Sequence, residues 1–276
     1  MTWSLLVLLA CQELTPGEYV LGDEIPAEVL QGPEGFGQSV ASSGQSVAIS
    51  FPVRVGPVQA PKQTFDIGNV RRVGLTEEGP WAWVEPDHIV YGDGFEQGST
   101  MPGATFVDRC PNGDFVSVTG VGESVACSER GVLSTLCADG VCSVHIDDGP
   151  KLDEVSPGGA LGWLDGRACW GDPQLLDEQA AGRVACEDGL EVQGLPGDHL
   201  GLSIGGGRAS GRFNRHIVPP RLRIVPLQKG DVWLVDRAAE NSRVSLDSSS
   251  AGTVIGVPHF RESGAEGRVF WVRNDG

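Results

Sequence analysis

Along most of the chain, apolar and polar residues are gathered into short segments of strand length, separated by glycine and proline rather than sustained at helical spacing. The segments repeat. Gly35–Ala41 is followed by Gly44–Pro52, and the same shape returns at Gly122–Cys127 and at Gly159–Arg167, closing with Gly171-Asp172-Pro173. It returns again at Gly197–Ile204 and at Ser242–Leu246 with Val254–Pro258, while a blurred copy lies at Trp81–Gly94, where Asp87–Asp93 stands for the second strand. Ala181–Cys186 and Glu266–Val272 both read as a third strand after a turn. The interval is about forty residues, the range of propeller blades and far from helical repeats. The pattern therefore predicts an all-β chain folded as a β-propeller of degenerate blades, with six blades expected and seven as the other count.

An open ring would leave two sheet edges unpaired. Ala27–Pro33 precedes the first copy as Leu190–Pro196 precedes the fifth, and the last copy stops at Val272–Gly276 without that strand. The N-terminal strand is expected to complete the last blade. The recurring Phe-Gly, Gly-X-Pro and Gly-Arg-Val elements resemble the FG-GAP repeat of integrin α-chain propellers, over residues 27–276. That resemblance implies a binding or scaffold role and, in many blades of the family, an acidic calcium loop.

The corresponding loops here are Ser42-Ser43-Gly44, Ser128-Glu129-Arg130, Asp165-Gly166-Arg167, Ala209-Ser210-Gly211 and Asp247-Ser248-Ser249. A calcium ion needs six to eight oxygens, several from carboxylates, and isolated acids beside Arg130 and Arg167 do not supply them. No CxxC is present and the histidines are scattered, which argues against structural zinc. No metal or other cofactor is expected.

Met1–Ala10 is an apolar run half the length a membrane-spanning helix requires, and it ends in a small residue before Cys11. Leu8-Leu9-Ala10-Cys11 resembles the bacterial lipobox. The resemblance implies a signal peptide over 1–10, lipidation at Cys11 and a tether over 11–26, ahead of the propeller that the repeats predict over 27–276. Gln12 rather than Asp after the cysteine resembles the Gram-negative sorting pattern that favours the outer membrane, which implies a body that is periplasmic or surface-exposed.

Six further cysteines, Cys110, Cys127, Cys137, Cys142, Cys169 and Cys186, fit disulfide pairing in an exported chain. Among the connectivities open to them, Cys110 with Cys127, Cys137 with Cys142 and Cys169 with Cys186 is the expected set. Cys137 and Cys142 flank a plausible hairpin turn, Ala138–Val141, and Cys169 and Cys186 take similar places in the next repeat.

Composition changes the picture in two respects. Hydrophobic residues at 40% allow a real core, while 40 glycines and 18 prolines work against long helices. A net charge of −17 disfavours nucleic acid as a partner. Against that field stands one basic stretch, Arg208, Arg212, Arg215, Arg221, Arg223 and Lys229, with no acid between Asp198 and Asp231. It could hold an anionic ligand or partner through bidentate guanidinium bonds, or simply neutralise acids on adjoining blades.

Gly201-Leu202-Ser203-Ile204-Gly205 spells the GxSxG of a hydrolase, and Asp231 and His259 follow in order. That motif needs a helix after the serine, which Gly205-Gly206-Gly207 opposes, and Ser203 aligns with the repeat serines Ser39 and Ser124. His88, His145 and His216 have no neighbouring motif, and the recurring tryptophans fit packing between blades. The sequence thus points to a non-enzymatic, membrane-anchored binding or scaffold module of the cell envelope, with an envelope protein or other surface ligand as partner. An exported hydrolase acting on the propeller face is the alternative.

Overall fold

The computed structural model describes residues 19–21, 28–50, 52–57, 63–217, 220–235, 238, 244–260 and 266–273. The expected signal peptide, Cys11 and most of the expected tether lie outside them. Among the described residues every regular element is a strand. The first two are β1 (Tyr19–Leu21) and β2 (Glu28–Pro33). Blade one follows with β3 (Val40–Ser43), β4 (Ser46–Ile49), β5 (Val53–Pro57) and β6 (Gln63–Phe65), and blade two with β7 (Val70–Thr76), β8 (Gly79–Val84), β9 (His88–Tyr91) and β10 (Gln97–Thr100). A two-stranded hairpin sheet comes next, β11 (Phe106–Arg109) and β12 (Phe115–Val118). Blade three holds β13 (Val125–Ser128), β14 (Gly131–Ala138), β15 (Val141–Ile146) and β16 (Asp153–Val155). Blade four holds β17 (Leu161–Leu164), β18 (Arg167–Asp172), β19 (Arg183–Cys186) and β20 (Glu191–Gln193). Blade five holds β21 (Ser203–Gly205), β22 (Arg208–Asn214), β23 (Arg221–Pro226) and β24 (Trp233–Val235), and blade six β25 (Ser245–Ser249), β26 (Gly252–Phe260) and β27 (Glu266–Arg273).

The six blades are the six repeat copies. The hairpin sheet carries no copy of the repeat, yet its inner strand stands in the ring: β3, β7, β11, β13, β17, β21 and β25 touch in a closed cycle. In the blurred copy, His88–Tyr91 is the third strand rather than the second, because Gly79–Val84 already pairs with β7. Closure is as expected: β2 runs antiparallel to β27, from Glu28 opposite Trp271 to Pro33 opposite Glu266. Within the stretch expected as tether, Tyr19–Leu21 adds a parallel edge strand to β24.

Local sequence explains the turns. Asp139-Gly140 and Asp165-Gly166 have φ of +52 and +81, and +49 and +74, the doubly left-handed geometry of a tight hairpin. Gly206-Gly207 does the same at +59 and +68. The core is divided among the blade junctions. Six buried apolar clusters each join neighbouring sheets, for example Leu222, Ile224, Val257 and Phe270 between blades five and six. Among the described residues the junction between the hairpin sheet and blade three has none; the Cys110–Cys127 disulfide (Cα–Cα 5.0 Å) crosses it instead. Cys137–Cys142 and Cys169–Cys186 link directly opposed residues of β14–β15 and β18–β19. All three expected pairs are present.

Candidate functional site

The inner strands enclose a central channel of about 1470 Å³, to whose wall all seven sheets contribute. Three charged side chains from different sheets meet there. Arg72 on β7 approaches Asp108 on β11 at 3.3 Å and donates to the Val107 carbonyl at 2.8 Å, with its guanidinium over the Phe106 ring at 4.5 Å. Asp108 accepts the Cys127 amide at 2.9 Å, and Asp247 on β25 accepts the Ser42 amide at 2.6 Å. Each aspartate thus spends an oxygen on the backbone of the next inner strand, an otherwise unpaired donor where one sheet ends and another begins. Burial pushes the Asp247 carboxyl up to about 6; the amides of Ser42 and Ser248 and the charge of Arg72 oppose that rise, and Asp108 adds to it.

At another part of the wall, Arg208 stacks on Trp233 with its guanidinium carbon 3.3 Å from the ring centre and donates to the Asp231 carbonyl at 2.8 Å. Burial lowers its pKa to about 10, against the nearby charge of Asp231. Lys229 and Gln228 share this wall, and Gln228 reaches the Asp165 carboxylate at 3.1 Å.

The linear basic cluster is therefore divided in space. Arg208 and Lys229 line the channel, whereas Arg212, Arg215, Arg221 and Arg223 do not. Arg223 is tied to the buried Asp198 at 2.5 Å, and Asp198 also accepts from Asn214 at 2.6 Å and from the Leu195 amide at 2.8 Å. Arg221 lies opposite Asn214 across the ladder, with Arg215 exposed just past that strand end and Arg212 donating its amide to the Asp198 carbonyl at 2.7 Å. A shift in register between Ser210 and Phe213 and the length of β22 send these arginines away from Arg208.

Ser203 opens β21, which turns at Gly206-Gly207 into β22, so the GxSxG lies on strand, turn and strand instead of strand, turn and helix. Asp231 presents its carbonyl to Arg208, and His259 lies 3.7 Å from Glu34. His88 sits 3.0 Å from Asp87, and His145 lies 2.9 Å from the Ser143 hydroxyl and 3.1 Å from the Gly149 carbonyl. His216 faces Gln179 at 3.3 Å. The repeat serines tie strands and blades together. Ser39 and Ser124 donate their amides to Ser50 and Thr135, and their hydroxyls bond Val73 and Gly159 of the neighbouring blades.

Sequence reasoning missed the Arg72, Asp108 and Asp247 group. Its signal is positional, since Asp108 and Asp247 both stand third in an inner strand. Asp247–Ser249 read as loop and is the end of β25.

These sheets define a β-propeller stapled by three disulfides. No family model matches the chain, and no curated protein does. Among solved structures, the N-terminal domain of Nup159 is similar, with 12% identity over 91% of this chain and 99% of that one, at a TM-score of 0.44. A complex of S. cerevisiae Dbp5 bound to Nup159 and Gle1 gives 10% identity over 93% and 100%, at 0.40. BamB from Moraxella catarrhalis gives 9% over 87% and 84%, at 0.31.

Proposed function

We propose that the chain is an exported lipoprotein, anchored through Cys11, whose FG-GAP-like propeller acts as a binding or scaffold module in the cell envelope, on the outer membrane. The supporting observation is the channel: every sheet contributes to one polar concavity, in which cations from separate strands stand beside aromatic rings. Such a wall suits an anionic group of an envelope protein or other surface ligand, held by Arg208 and Lys229. The three disulfides agree with an oxidising, exported setting.

Pull-down from envelope extracts tests the binding role. An Arg208→Ala/Lys229→Ala chain is expected to lose partners that an Arg212→Ala/Arg215→Ala chain keeps; unchanged partners in the first would remove the channel as the binding site. The anchor is tested by the mass of the mature N-terminus, expected to begin at an acylated Cys11. An intact Met1 with unmodified Cys11 in cells would end that part of the proposal.

A further inference from the structure

We propose that the sector occupied by the hairpin sheet is a strand-docking site, and that its occupant is an extended, lysine- or arginine-flanked segment of another protein, paired to the outer edge of β12. This deepens the binding reading above but uses a surface separate from the channel.

The hairpin sheet has two strands where the blades on either side have four. At about 4.8 Å between neighbouring strands, the described strands of this sector stop about 10 Å short of those on either side, room for two more. The exposed edge is ready to pair. The Cys110 amide donates to the Asp114 carbonyl at 2.8 Å, which sets the phase of the ladder. Bonded pairs alternate along an antiparallel ladder, so Asp108–Val116 and Phe106–Val118 bond inward while the amides and carbonyls of Phe115 and Ser117 point outward. Among the described residues no strand pairs with that edge.

Blade three supplies an apolar flank. Leu133, Cys142 and Val144 face blade four in a buried cluster with Ala168 and Trp170. Residues of the other parity face the hairpin's sector, and there Leu136 and Val141 are 55% and 48% exposed. Val121, in the connection from β12 to β13, is 90% exposed. The Cys110–Cys127 disulfide and the bond from the Cys127 amide to Asp108 hold the hairpin against blade three without filling the gap, so the recess is formed before any ligand arrives.

The occupant follows from three features. An edge with outward amides and carbonyls recognises an extended backbone, and the molecule already uses such edges, with β2 completing blade six on β27 and β1 added as a fifth strand on β24. Leu136 and Val141 call for alternating apolar side chains on the inserted strand. Asp114 and Asp139 are exposed at hairpin turns and Glu123 lies beside β14, so cationic flanks are favoured; a second copy of this chain would bring another −17 and be repelled.

The test uses the full chain and a synthetic peptide of about seven residues, alternating Val and Thr between terminal lysines. Hydrogen exchange at the Phe115 and Ser117 amides is expected to slow by at least about tenfold at saturation, and a peptide with terminal glutamates is expected to bind about tenfold more weakly. Ser117→Pro should abolish the protection of Phe115. Leu136→Asp, an exposed position that leaves the edge intact, should weaken binding by about tenfold or more. Unchanged exchange in the unaltered chain, equal binding of both peptides, or undiminished binding to both variants would overturn the proposal. The Arg208→Ala/Lys229→Ala chain is expected to bind the peptide normally; loss of binding there would place the peptide in the channel, overturning strand docking while supporting the channel reading.

Discussion

Asp247 shows how a single residue can serve the ring at a cost. Its carboxylate caps the Ser42 amide and so joins blade six to blade one, but it does so out of water, and its pKa rises from 3.8 to about 6. The folded state therefore holds this proton more tightly than the unfolded state does. The side chain carries no penalty below about pH 4, where both states are protonated, and destabilises progressively as pH rises through about 6, by of order 2 kcal/mol. Asp247→Asn keeps an acceptor for Ser42 and removes the charge. Urea unfolding should find it more stable than the parent at pH 8 by about 1–2 kcal/mol and closer to parity at pH 4. The groups that face Asp247 are Arg72 and Asp108, so an equal difference at both pH values would mean that the carboxylate is solvated or fully matched by Arg72. None of this was legible in the sequence. Arg72, Asp108 and Asp247 come from three distant segments, and only the ring of inner strands brings them together. Arg208 through Lys229 posed the opposite problem, because closeness along the chain is not closeness in space here, and Arg223 is matched by Asp198.

At the scale of elements, the repeat was legible because its glycines have a physical role. Gly37, from the first Phe-Gly, lies against Gly256 of the last Gly-X-Pro; Gly201 lies against Gly171 in the same way. A methyl group on Gly256 or Gly171 would stand 2.0 or 2.1 Å from the carbonyl oxygen of its partner, so successive blades meet backbone to backbone. Gly256→Ala and Gly171→Ala should each cost about 3 kcal/mol, read as a lower urea midpoint with little change in slope. Gly68→Ala, with nothing within 4 Å and an ordinary backbone angle, should be nearly neutral or slightly stabilising, and a comparable loss there would show that close backbone approach is not what makes the other two substitutions costly. The disulfides were legible for a related reason, since equivalent repeat positions face each other across adjacent strands. Loop entropy ranks them. Removing Cys169–Cys186, which closes 17 residues, should cost about 3 kcal/mol, and removing Cys137–Cys142, which closes 5, about 2 kcal/mol, in paired alanine variants. The hairpin sheet escaped the sequence reading because Phe106–Val118 has neither Phe-Gly nor Gly-X-Pro. With two strands and no third or fourth to pack, it needs neither glycine contact, and the Cys110–Cys127 bond takes over the junction that an apolar cluster secures elsewhere.

For the whole molecule, stability is shared around a circle, and no blade covers both of its own faces. The circle is fastened where β2 meets β27, and there Leu30 packs against Phe36, Val254, Val269 and Trp271, residues of the last blade and the first. The fastening is non-covalent. A chain from which residues 28–33 are deleted would keep every repeat and every disulfide, yet it would expose the long edge of β27 and one side of that cluster. If closure couples the blades, the deletion should lower the urea midpoint, broaden the transition as blades begin to unfold separately, and cause association through the bared edge, visible by light scattering. A shortened chain that stays monomeric and unfolds in one transition at the parent midpoint would mean that the interblade clusters suffice without closure. Supplying residues 28–33 as a separate peptide should then restore the parent midpoint in a concentration-dependent way, because ligand binding to the folded state alone stabilises by mass action. Failure of that rescue, with the deletion still damaging, would locate the loss in the folding of the first blade and not in the pairing of β2 with β27.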